Sequence, residues 1–265
     1  LVETGYLHNH ARMWFASIWI FTLKLPWRLG ADFFLRNLLD GDPASNTLSW
    51  RWVAGLHTRG KPYVAQADNI ARFTEERFVP RRQELTQGAV GLEALEPDGL
   101  PECQAPRVPI APQKHIPTAL LLTEEDCRIE DFPVQDLICT TVATLAASSL
   151  RSPREAAPLV AQFEAEALAD VAQRSGHAVT ALQIGAPSDL VKWALQSGAQ
   201  QIVTPYVPVG PLRDWLARAK PELDAAGISL AEWRRDWDAT IWPYASAGFF
   251  KVKKQIPKFL RLISV

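Results

Sequence analysis

Seven prolines lie between positions 80 and 117 (Pro80, Pro97, Pro101, Pro106, Pro109, Pro112 and Pro117) and divide the chain into two unlike halves. Each removes a backbone donor and fixes φ, so neither a continuous helix nor a central strand can run through this stretch. An extended linker over 80–117 is expected, with a folding unit on each side. The 265 residues allow this, since they exceed one average core.

The two halves differ in period. Residues 1–79 hold five of the ten tryptophans (Trp14, Trp19, Trp27, Trp50 and Trp52), and their apolar positions recur with a helical spacing. After Pro117, short apolar runs at 118–122, 136–142, 178–184, 201–203 and 228–230 alternate with amphipathic stretches at 154–174, 188–196 and 211–226. Strands separated by helices imply crossover connections, hence a parallel sheet of about five strands covered on both faces. The expected fold is therefore multi-domain: an all-α segment over 1–79, then a doubly wound, Rossmann-like α/β domain over 118–265.

Composition removes several classes of function. Hydrophobic residues at 48% and charged residues at 22% exclude disorder, and a formal charge of −1 excludes a globally basic nucleic-acid coat. Cys103, Cys127 and Cys139 are odd in number and lack a Cys-x-x-Cys pair, which argues against a disulfide framework or structural zinc and for a reducing, cytoplasmic setting. No cluster of His, Cys or carboxylates has metal-ligand spacing. The longest apolar run, Met13 to Leu23, is about half a membrane span and reads as a buried helix, so no membrane partner is expected. Met13 is the single methionine, which suggests a piece of a longer protein.

In the first segment, Tyr6, Asn9, Arg12 and Met13 fall at three- and four-residue spacings on a helix expected to begin near Thr4. The aromatic surroundings would desolvate Arg12, which then needs a carboxylate such as Asp40 or Asp42. Gly41 allows a turn between these acids, and Asp42 and Asn46 are candidate helix caps. The pattern suits a capped helix with a structural ion pair as well as a ligand site.

The order of the motifs adds a family. Tyr6-Leu-His-Asn-His-Ala-Arg-Met13, Trp27, Asp40-Gly-Asp-Pro-Ala-Ser-Asn46 and Ser49-Trp-Arg-Trp-Val-Ala54 together resemble the flavin-binding region of the photolyase and cryptochrome family, over roughly residues 1–78. The resemblance implies FAD held among these segments, with Asn9 beside flavin N5, Arg12 paired with Asp40 at the ring edge, and Asp42 facing the N3 side. Phe34 and Asn46 are implied as further cofactor-lining positions. Trp50 and Trp27 are implied as electron-transfer tryptophans, although core packing explains large indoles equally well. Met13, Trp52 and His10 correspond to positions facing the DNA lesion in repair members. His10 stands where the family usually has arginine, which makes a positive contact there pH-dependent.

The activity so implied is light-driven electron transfer from reduced FAD to a cyclobutane pyrimidine dimer in damaged DNA, by a monomer. A blue-light sensor without repair activity and a degenerate scaffold are the alternatives. Residues 1–79 carry nine Lys or Arg against seven Asp or Glu, a slight local excess of cations. The second half is similar, more loosely, to the family's α/β domain, which would place an antenna chromophore at loops after Leu122 and Ile184; a structural role is the alternative. Lys251, Lys253, Lys254, Lys258 and Arg261 form a basic C-terminal run that could meet nucleic acid or membrane, or lie on a solvated helix face.

Overall fold

The computed structural model describes residues 1–246 and 249–263. It divides into two compact units: Leu1–Pro101 with Ser148–Phe163, and Glu102–Ala147 with Glu164–Val265.

The first unit is helical. Helix α1 (Asn9–Ser17) starts about five residues later than the spacing predicts, because His8 caps it and Gly5, at φ +64°, turns the preceding chain. It continues into a π-helical turn over Ile18–Thr22, so the apolar run is helical and contributes Trp14, Ala16 and Ile20 to the interior. Helix α2 (Trp27–Asn37) follows Pro26, and α3 (Pro43–Val53) is capped by Asp42 with Pro43 in its first turn. Helix α4 (Ala67–Phe73) completes the set. Phe34 and Leu38 of the α2 region, with Trp50, Val53, Ala54 and Leu56 around α3, form the core, each no more than 2% exposed.

The stretch expected to be a linker is divided between the units. Residues 81–96 contain no proline, and they fold onto α3: the Leu92 amide donates to the Ala54 carbonyl at 2.9 Å, and Arg51 clasps Glu96 through two hydrogen bonds of 2.6 and 2.7 Å. The segment 148–163, expected in the α/β domain, also belongs to the first unit. There the Ala157 amide donates to the Arg36 carbonyl at 2.9 Å and the Arg151 guanidinium donates to the Leu38 carbonyl at 2.9 Å.

The second unit carries a parallel sheet of β1 (Pro117–Thr123), β2 (Ile138–Ala146), β3 (Val179–Gln183), β4 (Gln201–Pro205) and β5 (Ser229–Trp233), in the order β3-β2-β1-β4-β5. β1 and β4 are buried almost throughout, as near-continuous apolar strands between helices must be. The crossovers include α5 (Pro158–Arg174), α6 (Pro187–Gln196) and α7 (Pro211–Ala225). Strand order reverses between β1 and β4, so ligand-binding loops of such a sheet follow Thr123 and Pro205. The loop after Ile184, expected to serve this purpose, instead follows an edge strand. Short helices α8 (Asp236–Ile241), α9 (Phe249–Lys253) and α10 (Ile256–Ile263) end the chain.

Candidate functional site

The first unit contains a cleft of about 410 Å³ between α1, the end of α2, the turn at Asp40–Asp42 and α3. This lies within the ~300–1,000 Å³ typical of small-molecule sites. Nine of the positions predicted from sequence line it: Asn9, Arg12, Met13, Phe34, Asp40, Asp42, Asn46, Trp50 and Trp52. Residues 35 or more apart in sequence converge because one face of α1 meets one face of α3.

The Arg12 guanidinium donates from Nη2 to both carboxylate oxygens of Asp40, at 3.1 and 3.0 Å, and from Nε to the Leu7 carbonyl at 2.7 Å. The pair is less enclosed than the sequence suggests. The Asp40 side chain is 60% exposed and that of Arg12 26%, because the acid sits in the turn at the cleft's lip rather than under the aromatic cluster. Such a pair adds little stability, on the order of 1 kcal/mol or less, but keeps a cation and an anion at fixed positions.

Amides occupy two walls. The Asn9 side chain donates to the Met13 sulfur at 3.8 Å, and the Asn46 amide nitrogen donates to the Ala31 carbonyl at 2.8 Å, leaving its oxygen as acceptor. Asp42 accepts from the Ser45 amide at 2.5 Å, so one of its oxygens is committed to the helix cap. Phe34 and Trp50, each 2% exposed, meet edge-to-face at 5.0 Å. The indole N–H of Trp50 is buried and has no hydrogen-bond partner among the described residues. Trp52, 38% exposed, stacks on Tyr63 at 5.4 Å.

Two predicted residues lie elsewhere. His10 does not line the cleft; it packs against Phe73 at 4.7 Å and Trp14 at 5.9 Å, because consecutive residues on a helix point about 100° apart and Asn9 holds the cleft side. Trp27 is buried in the core with the Arg51 guanidinium 6.0 Å from its ring, and among the described residues no ring contact joins it to Trp50. Trp19, which the sequence reading did not single out, does meet Trp50 edge-to-face at 6.4 Å and stacks on Phe15 at 5.8 Å. Ser45, Ser49 and His57 also line the cleft. The serines could have been found from the 42, 45, 46, 49, 50, 53 periodicity of one α3 face.

The lining fits a flat heteroaromatic ring with a polar edge: aromatic walls, two amides, two carboxylates and a guanidinium. It fits a diphosphate poorly. Among the described lining residues Arg12 is the only Arg or Lys, and Asp40 already accepts from it.

In the second unit the loop after β1 is tied to the end of β5. The Arg235 guanidinium pairs with Asp126 and with Asp131, the latter at 2.9 Å, and these bonds push its pKa above the usual arginine value. Burial pushes the Cys127 thiol up, with Asp126 adding in the same direction. The hydroxyls of Thr123 and Thr204, at the carboxyl ends of β1 and β4, are buried without partners among the described residues.

The first unit thus joins a helical fold to a cleft whose lining suits a flavin-like ring. Residues 1–84 match the family model described as the FAD binding domain of DNA photolyase. Among curated proteins, the deoxyribodipyrimidine photo-lyase of Streptomyces griseus is 50% identical over 62 residues, covering 23% of this chain and 14% of that protein. Those of Vibrio cholerae (41% over 80 residues, 30% and 17% of the two chains) and Agrobacterium fabrum (36% over 93 residues, 32% and 19%) are similar too. The chain therefore spans less than a fifth of the length of these relatives. No solved structure matches it.

Proposed function

We propose that this chain is the ring-holding part of a photolyase-type flavoprotein that acts on cyclobutane pyrimidine dimers in DNA. The carrying observation is the convergence of Asn9, the Arg12–Asp40 pair and Trp50 on one cleft. FAD bound there would supply light-driven one-electron chemistry. The chain's own part is to bind and orient. Asn9 and Asn46 present amides to the ring's polar edge, with N5 assigned to Asn9. Arg12 and Asp40 hold charge against it, and the free oxygen of Asp42 takes the N3 side. Phe34 excludes water from the far wall.

Trp50 is the electron donor of the site, with Trp27 as a further donor by family resemblance and Trp19 as the indole in ring contact with it. Met13 and Trp52 form an apolar and aromatic wall for the lesion, and a pyrimidine dimer costs less to flip out than a paired base. A blue-light sensor without repair is favoured by one observation: His10 packs on Phe73, so the lesion-facing wall lacks the cation expected there. For the second unit, an antenna chromophore would sit at the reversal between β1 and β4; the alternative is a structural role. A monomer in the cytoplasm fits the reading.

The test begins with flavin binding. Titrated with riboflavin and with FAD, the protein is expected to quench flavin fluorescence with similar affinity for both, since the cleft reads the ring rather than the diphosphate. No binding of either would refute the flavin reading. Given a flavin-loaded protein, recovery of dimer-containing oligonucleotide under blue light with reductant supports repair, and photoreduction without recovery supports the sensor.

A further inference from the structure

The C-terminal helices α9 and α10 and the turn joining them carry Lys251, Lys253, Lys254, Lys258 and Arg261 and not one carboxylate among the described residues 249–263. All five cations are exposed, and no carboxylate among the described residues pairs with them; Lys251 and Lys258 reach only the Ser246 and Tyr244 hydroxyls, at 2.7 and 3.2 Å. Elsewhere in the same unit lysines and arginines are typically matched, as Arg107 and Arg213 are by Glu232 and Arg174 is by Asp170 and Glu130.

Large apolar side chains are exposed beside these cations: Phe249 at 65%, Phe250 at 75% and Leu262 at 59%. Helix α10 is held to the unit by Phe259, which is 2% exposed and meets Tyr244 edge-to-face at 5.2 Å. With Phe259 facing inward, Ile256 and Leu260 project on its flank, and Lys258 and Arg261 lie on the opposite arc.

We propose that α9 and α10 form a docking surface for an anionic lipid bilayer. The charge requires an anionic partner. The exposed phenylalanines select lipid over nucleic acid, because a phosphate backbone leaves such rings in water whereas the headgroup and acyl boundary buries them. The surface would lie on the membrane and not cross it, since no helix of the described residues is long and apolar enough to span one. A cation near an anionic leaflet strengthens partitioning by about fivefold, so the three lysines of the Lys251–Lys254 stretch together are worth about a hundredfold.

The full chain is expected to co-sediment with vesicles of equimolar phosphatidylcholine and phosphatidylserine, to stay in solution with phosphatidylcholine alone, and to be released by salt. The triple variant K251Q/K253Q/K254Q should lose about a hundredfold in partitioning, and F249S/F250S should weaken binding at every salt concentration. All five changes are at exposed positions, so circular dichroism should report an unaltered fold. No sedimentation with the anionic vesicles would overturn the proposal, as would unchanged binding by either variant. Salt-sensitive capture of duplex DNA in place of vesicles, lost in the triple lysine variant, would assign the face to nucleic acid and also overturn it.

Discussion

Gly30 lies in the middle of α2, where alanine is the better helix former by about 1 kcal/mol. Propensity alone therefore predicts that Gly30→Ala stabilises the protein. The packing predicts the opposite. A β-carbon at position 30 would stand 2.2 Å from Cη2, 2.5 Å from Cζ3 and 3.0 Å from Cζ2 of Trp50, against the ~3.5–4.0 Å of ordinary carbon contacts. The indole must then retreat by about 1.3 Å or more, and it is 2% exposed, with Phe34 and Trp19 against its other edges. Overpacking of this kind costs about 1–3 kcal/mol, so the net change is a loss of about 1 kcal/mol. All three crowded atoms belong to the six-membered ring of the indole, so Trp50→Phe withdraws them. In that background Gly30→Ala should recover the propensity gain of about 1 kcal/mol. Urea unfolding of the four proteins of this cycle measures the coupling, expected near 2 kcal/mol. Equal effects of Gly30→Ala in both backgrounds, or stabilisation of the unmodified protein by the full helix increment, would refute the close approach of α2 and Trp50.

Hydrogen bonds from Arg51 hold the Glu96 carboxyl below its ordinary value. The unfolded chain then takes up the proton first as pH falls, so this stabilisation is present above the ordinary glutamate pKa of about 4.3 and is lost as pH drops through and below it. The melting-temperature gap between the protein and Glu96→Gln should accordingly close on acidification, and a gap that persists at low pH would contradict this. Arg12→Ala should change unfolding free energy by less than about 1 kcal/mol, as suits a half-exposed pair, yet weaken flavin binding by about tenfold, the equivalent of one charge-assisted hydrogen bond; a large stability loss with unaltered binding would make the pair structural. Trp19→Phe should slow photoreduction of flavin-loaded protein while leaving flavin affinity unaltered, and unchanged kinetics would remove Trp19 from the electron path.

Much of the fold could be read from period and punctuation. The strands and major helices of the α/β region fall within a few residues of the apolar and amphipathic runs, because a buried parallel strand must be nearly all apolar whatever its neighbours. Boundaries that depend on distant partners were not legible. Proline counting marked 80–117 as linker, but Leu85, Leu92 and Glu96 find places on the first unit that no local rule announces. Strand order was equally hidden, and with it the site of reversal, because each strand pairs through backbone groups common to all sequences.

The spacing of α1 puts Asn9, Arg12 and Met13 on one face, and all three line the cleft, whereas His10 shows where a linear motif misleads. Adjacent letters in His8-Asn-His10 suggest a shared task, whereas the helix separates Asn9 from His10 by about 100° and gives one to the cleft and the other to Phe73. Trp19 shows the converse. Nothing in its local sequence distinguishes it from a core indole, and its contact with Trp50 arises only when α1 and its π-helical extension bring that ring against α3. A tryptophan's place in an electron path is a property of ring-to-ring distance, so under the proposed function the packing of Trp19 on Trp50, more than any motif, is what makes Trp19 the indole to test.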